Sequence, residues 1–223
     1  MTTDTIPTKT RQGLESPLAG LHATPAAPLP FLDGILVRSF LLEREQGNIL
    51  IYHSPGINAA SEEILERGRA DRLLINHWHE GMYDAPEMDV PIFVHEKDRE
   101  QTDLPIAGTF SRREKIADDL EVIPTPGHTP GASMFLWDNG QHRFLFSGDT
   151  VWVRDDEWQA VVLRESDRDS YVASLSLMMQ LDFDYLVPWG GRVGQPWGYE
   201  VDHIEAQENL EQVFSRVVAG ENG

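Results

Sequence analysis

Short apolar runs, separated by polar turns, recur along the chain, and their spacing predicts its elements. Residues 1 to about 30 show no such pattern. They are rich in Thr, Pro and Ala ("TPAAPLP") and read as a tail preceding the folded domain. From Gly34 the pattern tightens. "GILVRSFLLE" and "NILIYHS" flank the turn "REQG" and predict a β-hairpin. "NAASEEILERG" has helical spacing, with Asn58 as its cap and Gly68 as its stop. "RLLIN" and "PIFVH" have short apolar centres of the kind that buried strands carry. The second leads into a short helical stretch, "EKDREQ". "LEVIP", "ASMFLW" and "RFLFS" predict further strands, the last two joined across the turn "DNGQ". Ser166 and Asp169 open a helix with Val172, Leu175 and Met179 on one face. "DYLVP" predicts a late strand, and a last helix buries Leu210, Val213, Phe214 and Val217. Hairpins first, then alternating strands and helices, mean an α/β fold with mixed sheets and no internal repeat.

Composition narrows the picture. A chain of 223 residues that is 40% hydrophobic can bury a real core, so the reading is a tail over residues 1–30 and one domain over 31–223. No apolar run approaches the roughly 20 residues of a membrane-spanning helix. "MTTDTIPTKTRQG" has no apolar leader, so a cytoplasmic location without membrane attachment is expected. The formal charge of -19 argues against nucleic acid as a partner, because phosphate recognition needs a basic surface. The absence of cysteine excludes disulfides, thiolate ligands and a cysteine nucleophile. A small-molecule substrate is the expected partner, and the sequence leaves a homo-oligomer open.

The candidate chemistry lies in four stretches, each just after an apolar run. The first is His77-x-His79 in "NHWHEGMYD". In extended chain, residues two apart point the same way, so both imidazoles could reach one ion. The second is "TPGHTPG", a stiff loop around His128. "SGDT" places Asp149 at a strand end, and "VPWGG" carries Trp189. Each alone is weak, since an isolated HxH pair or a lone Asp after Gly is usually incidental.

Their order and spacing together resemble the metallo-β-lactamase superfamily, from about residue 34 to the end. "TPGHTPG" followed by "FSGDT" is the most specific part. The resemblance implies a four-layer αββα sandwich of two mixed β-sheets with outer helices and a metal site at one edge. It also implies that His77, His79, His128 and a shared Asp149 hold the family's first metal. The positions private to the second metal fall on Gly81, Met82 and Trp189, none of them a ligand, and a family strand-end Asp falls on Tyr52. Glu80 is not expected to substitute, because strand alternation would aim it away from the two histidines. One divalent metal is therefore expected, zinc first, with iron or manganese as alternatives.

If Asp149 binds directly, a tetrahedral zinc has four protein ligands and the site is structural. If Asp149 instead serves a metal-bound water, the site is open and catalytic. The first functional reading is a hydrolase of an ester- or thioester-like substrate using metal-bound hydroxide, with Asp149 catalytic. The alternatives are a non-catalytic member with a structural or vestigial site, and a mononuclear iron oxygenase. Met82, Trp152 and Trp189 either plug the second-metal space or form an apolar pocket. His53 and His95 read as packing or supporting residues, and His22, His142 and His203 as surface residues.

Overall fold

A computed structural model describes residues 13–221. Two sheets carry the fold. The first has seven strands in the order Glu15–Leu18, Leu21–Ala23, Phe40–Leu42, Asn48–Ile51, Ala70–Leu74, Ile92–His95 and Ile106–Phe110. Its first three pairings are antiparallel and its last three parallel. The second has six strands, Glu114–Ala117, Leu120–Pro124, Ser133–Asp138, Arg143–Gly148, Tyr185–Pro188 and Tyr199–Glu200. Here only Arg143–Gly148 and Tyr185–Pro188 pair in parallel.

Alternation along the strands builds the layers. Phe40, Leu42, Ile49 and Ile51 face inward, where they meet Val122, Phe135, Phe144 and Phe146 of the other sheet. Leu41 and Leu50 face outward, beneath Ile57 and Ile64 of the helices Gly56–Ala59 and Ser61–Glu66. On the other side Ile123, Met134, Leu136 and Leu145 face the helices Arg168–Met178 and His203–Val218 through Leu175, Leu210 and Val213. Strands covered on both faces need apolar residues at every position, which is why these runs read as unbroken rather than alternating. The result is the expected αββα sandwich.

Several expectations change. The stretch assigned to the tail enters the fold from residue 13: Glu15–Leu18 and Leu21–Ala23 extend the first sheet, so the domain begins well before residue 31. Residues 1–12 of that tail lie outside the described residues. The sparse polar pattern concealed these strands because they sit near a sheet edge. His22, expected at the surface, is buried there, its ring 2.8 Å from the Glu43 carboxylate. "GILVRSFLLE" is not one strand. Ile35–Val37 leaves for a small sheet with Ala27–Pro28 and Gly190–Arg192, and only Phe40–Leu42 forms the hairpin with Asn48–Ile51. Asn58 does not cap a helix but accepts from the Glu87 backbone N–H at 2.9 Å. The later helix is capped by Asp167, whose carboxylate accepts from the N–H groups of Asp169 and Ser170.

Among the described residues, no helix is long and apolar enough to cross a membrane.

Candidate metal centre

Chain direction brings the site together at one rim of the sandwich. His77 follows the strand Ala70–Leu74, His128 follows Leu120–Pro124, Asp149 follows Arg143–Gly148 and Trp189 follows Tyr185–Pro188. All four lie beyond the carboxyl ends of their strands. The strand Ser133–Asp138 starts there, which is what an antiparallel neighbour must do.

The four donors expected from the sequence converge. One ligand atom from each of His77, His79, His128 and Asp149 lies within 4.8 Å of the others. Asp149 Oδ2 is 3.4 Å from His77 Nε2 and 3.5 Å from His128 Nε2, and His79 Nδ1 is 3.1 Å from His128 Nε2. A tetrahedral ion with bonds of about 2.0–2.1 Å separates its donors by about 3.3–3.4 Å, so these gaps fit groups gathered around one ion, with Asp149 close enough to bind it directly or to serve a water on it. His77 adds an independent sign. It is fully buried, and among the described residues neither of its ring nitrogens has a hydrogen-bond partner. An orphaned buried imidazole is costly unless something else satisfies it. His128 points the same way: its Nδ1 donates to the Val161 carbonyl at 2.7 Å, which leaves Nε2 as a lone pair aimed into the cluster.

The electrostatics follow from crowding three imidazoles around one carboxylate. Burial works to lower the pKa of His77, but the negative charges of Asp149 and Glu80 raise it to about 9. For His79, burial and then the charge of its neighbours His77 and His128 drive it down to about 3. Burial pushes Asp149 upward, yet the histidines outweigh it and hold the carboxyl at about 2. The carboxylate is thus ionised at any physiological pH.

The HxH stretch is not extended as expected. His77 is extended, but residues Trp78–Met82 form a 3-10 turn. Glu80 does turn away from the cluster, though the turn and not strand alternation is the reason. It is wholly buried and accepts the backbone N–H groups of Asn76 and His53, both at 2.6 Å, and of His77 at 3.4 Å. It therefore ties the end of the strand Asn48–Ile51 to the HxH turn. Tyr52, standing at that strand end, does something different. Its hydroxyl accepts from Gly148 N–H and donates to the Val187 carbonyl, both at 2.7 Å, joining the two sheets under the site. His53 plays the supporting part expected of it, with Nδ1 2.9 Å from the Glu80 carbonyl.

Two further braces had no signal in the sequence. Buried Asp98 accepts from Trp78 N–H, Thr129 hydroxyl and Gly131 N–H at 3.1, 2.8 and 2.7 Å, locking the HxH turn to the His128 loop. In "EKDREQ" it is one charge among five and reads as solvated. Buried Tyr171 donates toward the carbonyls of Thr150 and Asp149 and accepts from Val161 N–H, so one hydroxyl steadies Asp149 and the residue that orients His128. Gly148 is required for closeness: it has φ 56°, and a Cβ there would run into the Asn76 amide.

The second-metal positions are closed. A Cβ at Gly81 would meet Thr102, with no room for a longer side chain as the loops stand. Trp189 is buried edge-on against His77, ring centroids 5.4 Å apart, and its indole N–H donates to the His53 carbonyl at 3.0 Å. Met82 and Trp152 do not plug that space. With Trp189 they border a cavity of about 450 Å³ whose floor is His79, His128 and Asp149. The pocket reading of these residues therefore holds, and Trp189 serves as both plug and wall.

A family model described as the metallo-beta-lactamase superfamily matches residues 61–191, more than half of the chain and the span that includes all four donors. The protein belongs to the metallo-β-lactamase superfamily. Among solved structures, it is similar to the metallo-beta-lactamase GOB-18 from Elizabethkingia meningoseptica, with 15% identity, a TM-score of 0.62, and coverage of 97% of this chain and 95% of that one. A metallo-beta-lactamase from Pontibacter korlensis matches at 17% identity and TM-score 0.65, covering 92% and 98%. A superfamily protein from the archaeon Sulfolobus tokodaii matches at 16% and 0.59, covering 88% and 86%. At these identities the likeness speaks for the fold. Among proteins curated for function, none matches the sequence significantly.

Proposed function

We propose that the protein is a single-metal hydrolase acting on an ester- or thioester-like carbonyl. The observation that carries this reading is that the donor cluster has an open side. His79 and Asp149 are only partly buried, and with His128 they form the floor of a cavity large enough for a substrate. A purely structural site would be closed on all sides.

His77, His79 and His128 would hold the ion, with Asp149 beside it. A bound divalent metal supplies Lewis acidity and makes water nucleophilic near neutral pH. The chain does the rest. Val161 fixes the tautomer of His128, and Glu80 and Asp98 hold the HxH turn in place. Buried Trp189 keeps bulk water from the side where a second ion would sit. Asp149, ionised and facing the cavity, orients the attacking water and accepts its proton at the carboxylate.

Elemental analysis after loading with zinc, iron and manganese separately should find about one ion per chain. Hydrolysis of p-nitrophenyl esters should depend on that ion, and Asp149→Asn should lower kcat a hundredfold or more. Two tightly held ions would refute the single-metal reading. Full metal content without hydrolysis of esters or thioesters would refute the hydrolase reading, and oxygen consumption by the iron form would put an oxygenase in its place.

A further inference from the structure

The cavity above the donors has a chemistry of its own. Its wall is formed by the segment from Leu29 to Val37, by Met82 and Trp152, by the loop through Val161 and Leu163, and by Trp189. Among the described residues that line it, none is Lys or Arg, and the polar side chains are confined to the donor floor. The rim is equally apolar. Phe31 is 72% exposed, Leu32 46% and Met82 36%, so three of the seven large hydrophobics left exposed among the described residues meet at this one mouth. Scattered exposed hydrophobics are ordinary, but a cluster around a cavity marks a surface that a ligand covers.

From this the geometry points to a substrate whose non-reacting part is an uncharged hydrocarbon group, an acyl chain or an aryl ring. The identification of that ligand as a substrate rests on the hydrolase reading above. The physical reason is desolvation. A methylene moved from water into this cavity gains with every carbon buried. A carboxylate or phosphate carried away from the reacting carbonyl would lose its water and find no cation in exchange. The net charge of -19 adds long-range repulsion against anions on approach. The cavity therefore selects by what it lacks as much as by what it touches.

Two measurements test this separately from catalysis. In the first, metal-free protein is titrated with methyl butyrate, methyl hexanoate, methyl octanoate and monomethyl suberate, whose charge lies at the end away from the ester, followed by tryptophan fluorescence and calorimetry. Affinity should rise by up to about fourfold per added methylene. Monomethyl suberate should bind at least about tenfold more weakly than methyl octanoate. The double variant Phe31→Ser, Leu32→Ser, altered where side chains are already in solvent, should flatten the chain-length slope. In the second, zinc-loaded protein is given p-nitrophenyl esters from acetate to octanoate and the p-nitrophenyl monoester of suberic acid. The octanoyl ester should show the highest kcat/KM and the suberate monoester one far lower. Affinity independent of chain length, equal binding of monomethyl suberate and methyl octanoate, or a slope unchanged in the double variant would each overturn the assignment. If the binding slope appears but zinc-loaded protein hydrolyses none of the esters, the apolar-ligand assignment stands and the hydrolase reading falls.

Discussion

A carboxylate as deeply buried as that of Glu80 survives only because backbone N–H groups surround it, and burial pushes its pKa upward despite the nearby His77. Its oxygen stands 3.6 Å from His77 Nδ1, on the far side of the ring from the other donors. Were Nε2 to hold an ion, Nδ1 would carry the proton and face Glu80 at ion-pair rather than hydrogen-bond distance, close to the arrangement by which outer carboxylates orient metal-binding histidines. Glu80→Gln should weaken metal binding about 10- to 100-fold, read by chelator competition on the metal-free protein. A variant that melts lower yet keeps its metal affinity would restrict Glu80 to holding the backbone. The lost second site should resist restoration. Gly81→Asp, Met82→His and Trp189→His together should still bind about one ion, because the missing Cβ at position 81 points at Thr102. Two ions by elemental analysis would show that this loop yields.

At the scale of elements, the two sheets are fastened at both rims. At the site rim the Tyr52 hydroxyl joins them. At the opposite rim the turn after Phe40–Leu42 meets the turn before Leu120–Pro124. There the almost wholly buried Arg44 donates to both oxygens of Asp119, at 2.8 and 2.5 Å, and the Trp137 indole adds a third bond at 3.2 Å. Burial pushes the Asp119 pKa up, but the hydrogen bonds and charge of Arg44 win, and it ends below the usual carboxylate value. A depressed folded-state pKa means stability that is present above the unfolded value, about 3.9, and lost as pH falls through the lower folded value. Asp119→Asn should thus cost about 1.5–3 kcal/mol at pH 7. Its deficit relative to the parent in urea unfolding should shrink as pH falls below about 4. A deficit that stays constant down to pH 2 would mean that packing, not the ion pair, does the fastening.

For the whole molecule, a bound metal would couple the site to the fold. The donors come from three separate loops, and an ion that binds only the folded chain stabilises it by mass action, about 2.7 kcal/mol at a hundredfold excess over Kd. For a chain of this size that corresponds to a rise in Tm of roughly 5–11 °C. Melting curves of chelated and zinc-loaded protein should differ by that much, and His128→Ala should abolish the difference. Identical curves for parent protein with and without zinc, iron or manganese would leave the cluster a set of relic histidines. The acidic surface is a property of the same scale: net charge of this size resists association and disfavours anionic ligands throughout.

By itself, the sequence pointed to which runs become strands, because residues buried on both faces of a sheet must be apolar, as at residues 134–137 and 144–146. Through the resemblance that "TPGHTPG" and "FSGDT" carry, it also pointed to His77, His79, His128 and Asp149 as one candidate donor set, and these residues do converge at one rim. It did not show that the HxH stretch coils into a 3-10 turn, that residues 13–30 supply sheet strands and a pocket wall, or that Glu80, Asp98 and Tyr171 are braces. Local periodicity cannot carry that information. Tyr52 meets Val187 and Trp189 meets His53 across 135 and 136 residues of chain, and such partners become neighbours only when the two sheets close. An acidic residue in a polar stretch reads as solvated until tertiary packing surrounds it with backbone N–H groups, and only that packing decides that its charge supports a site.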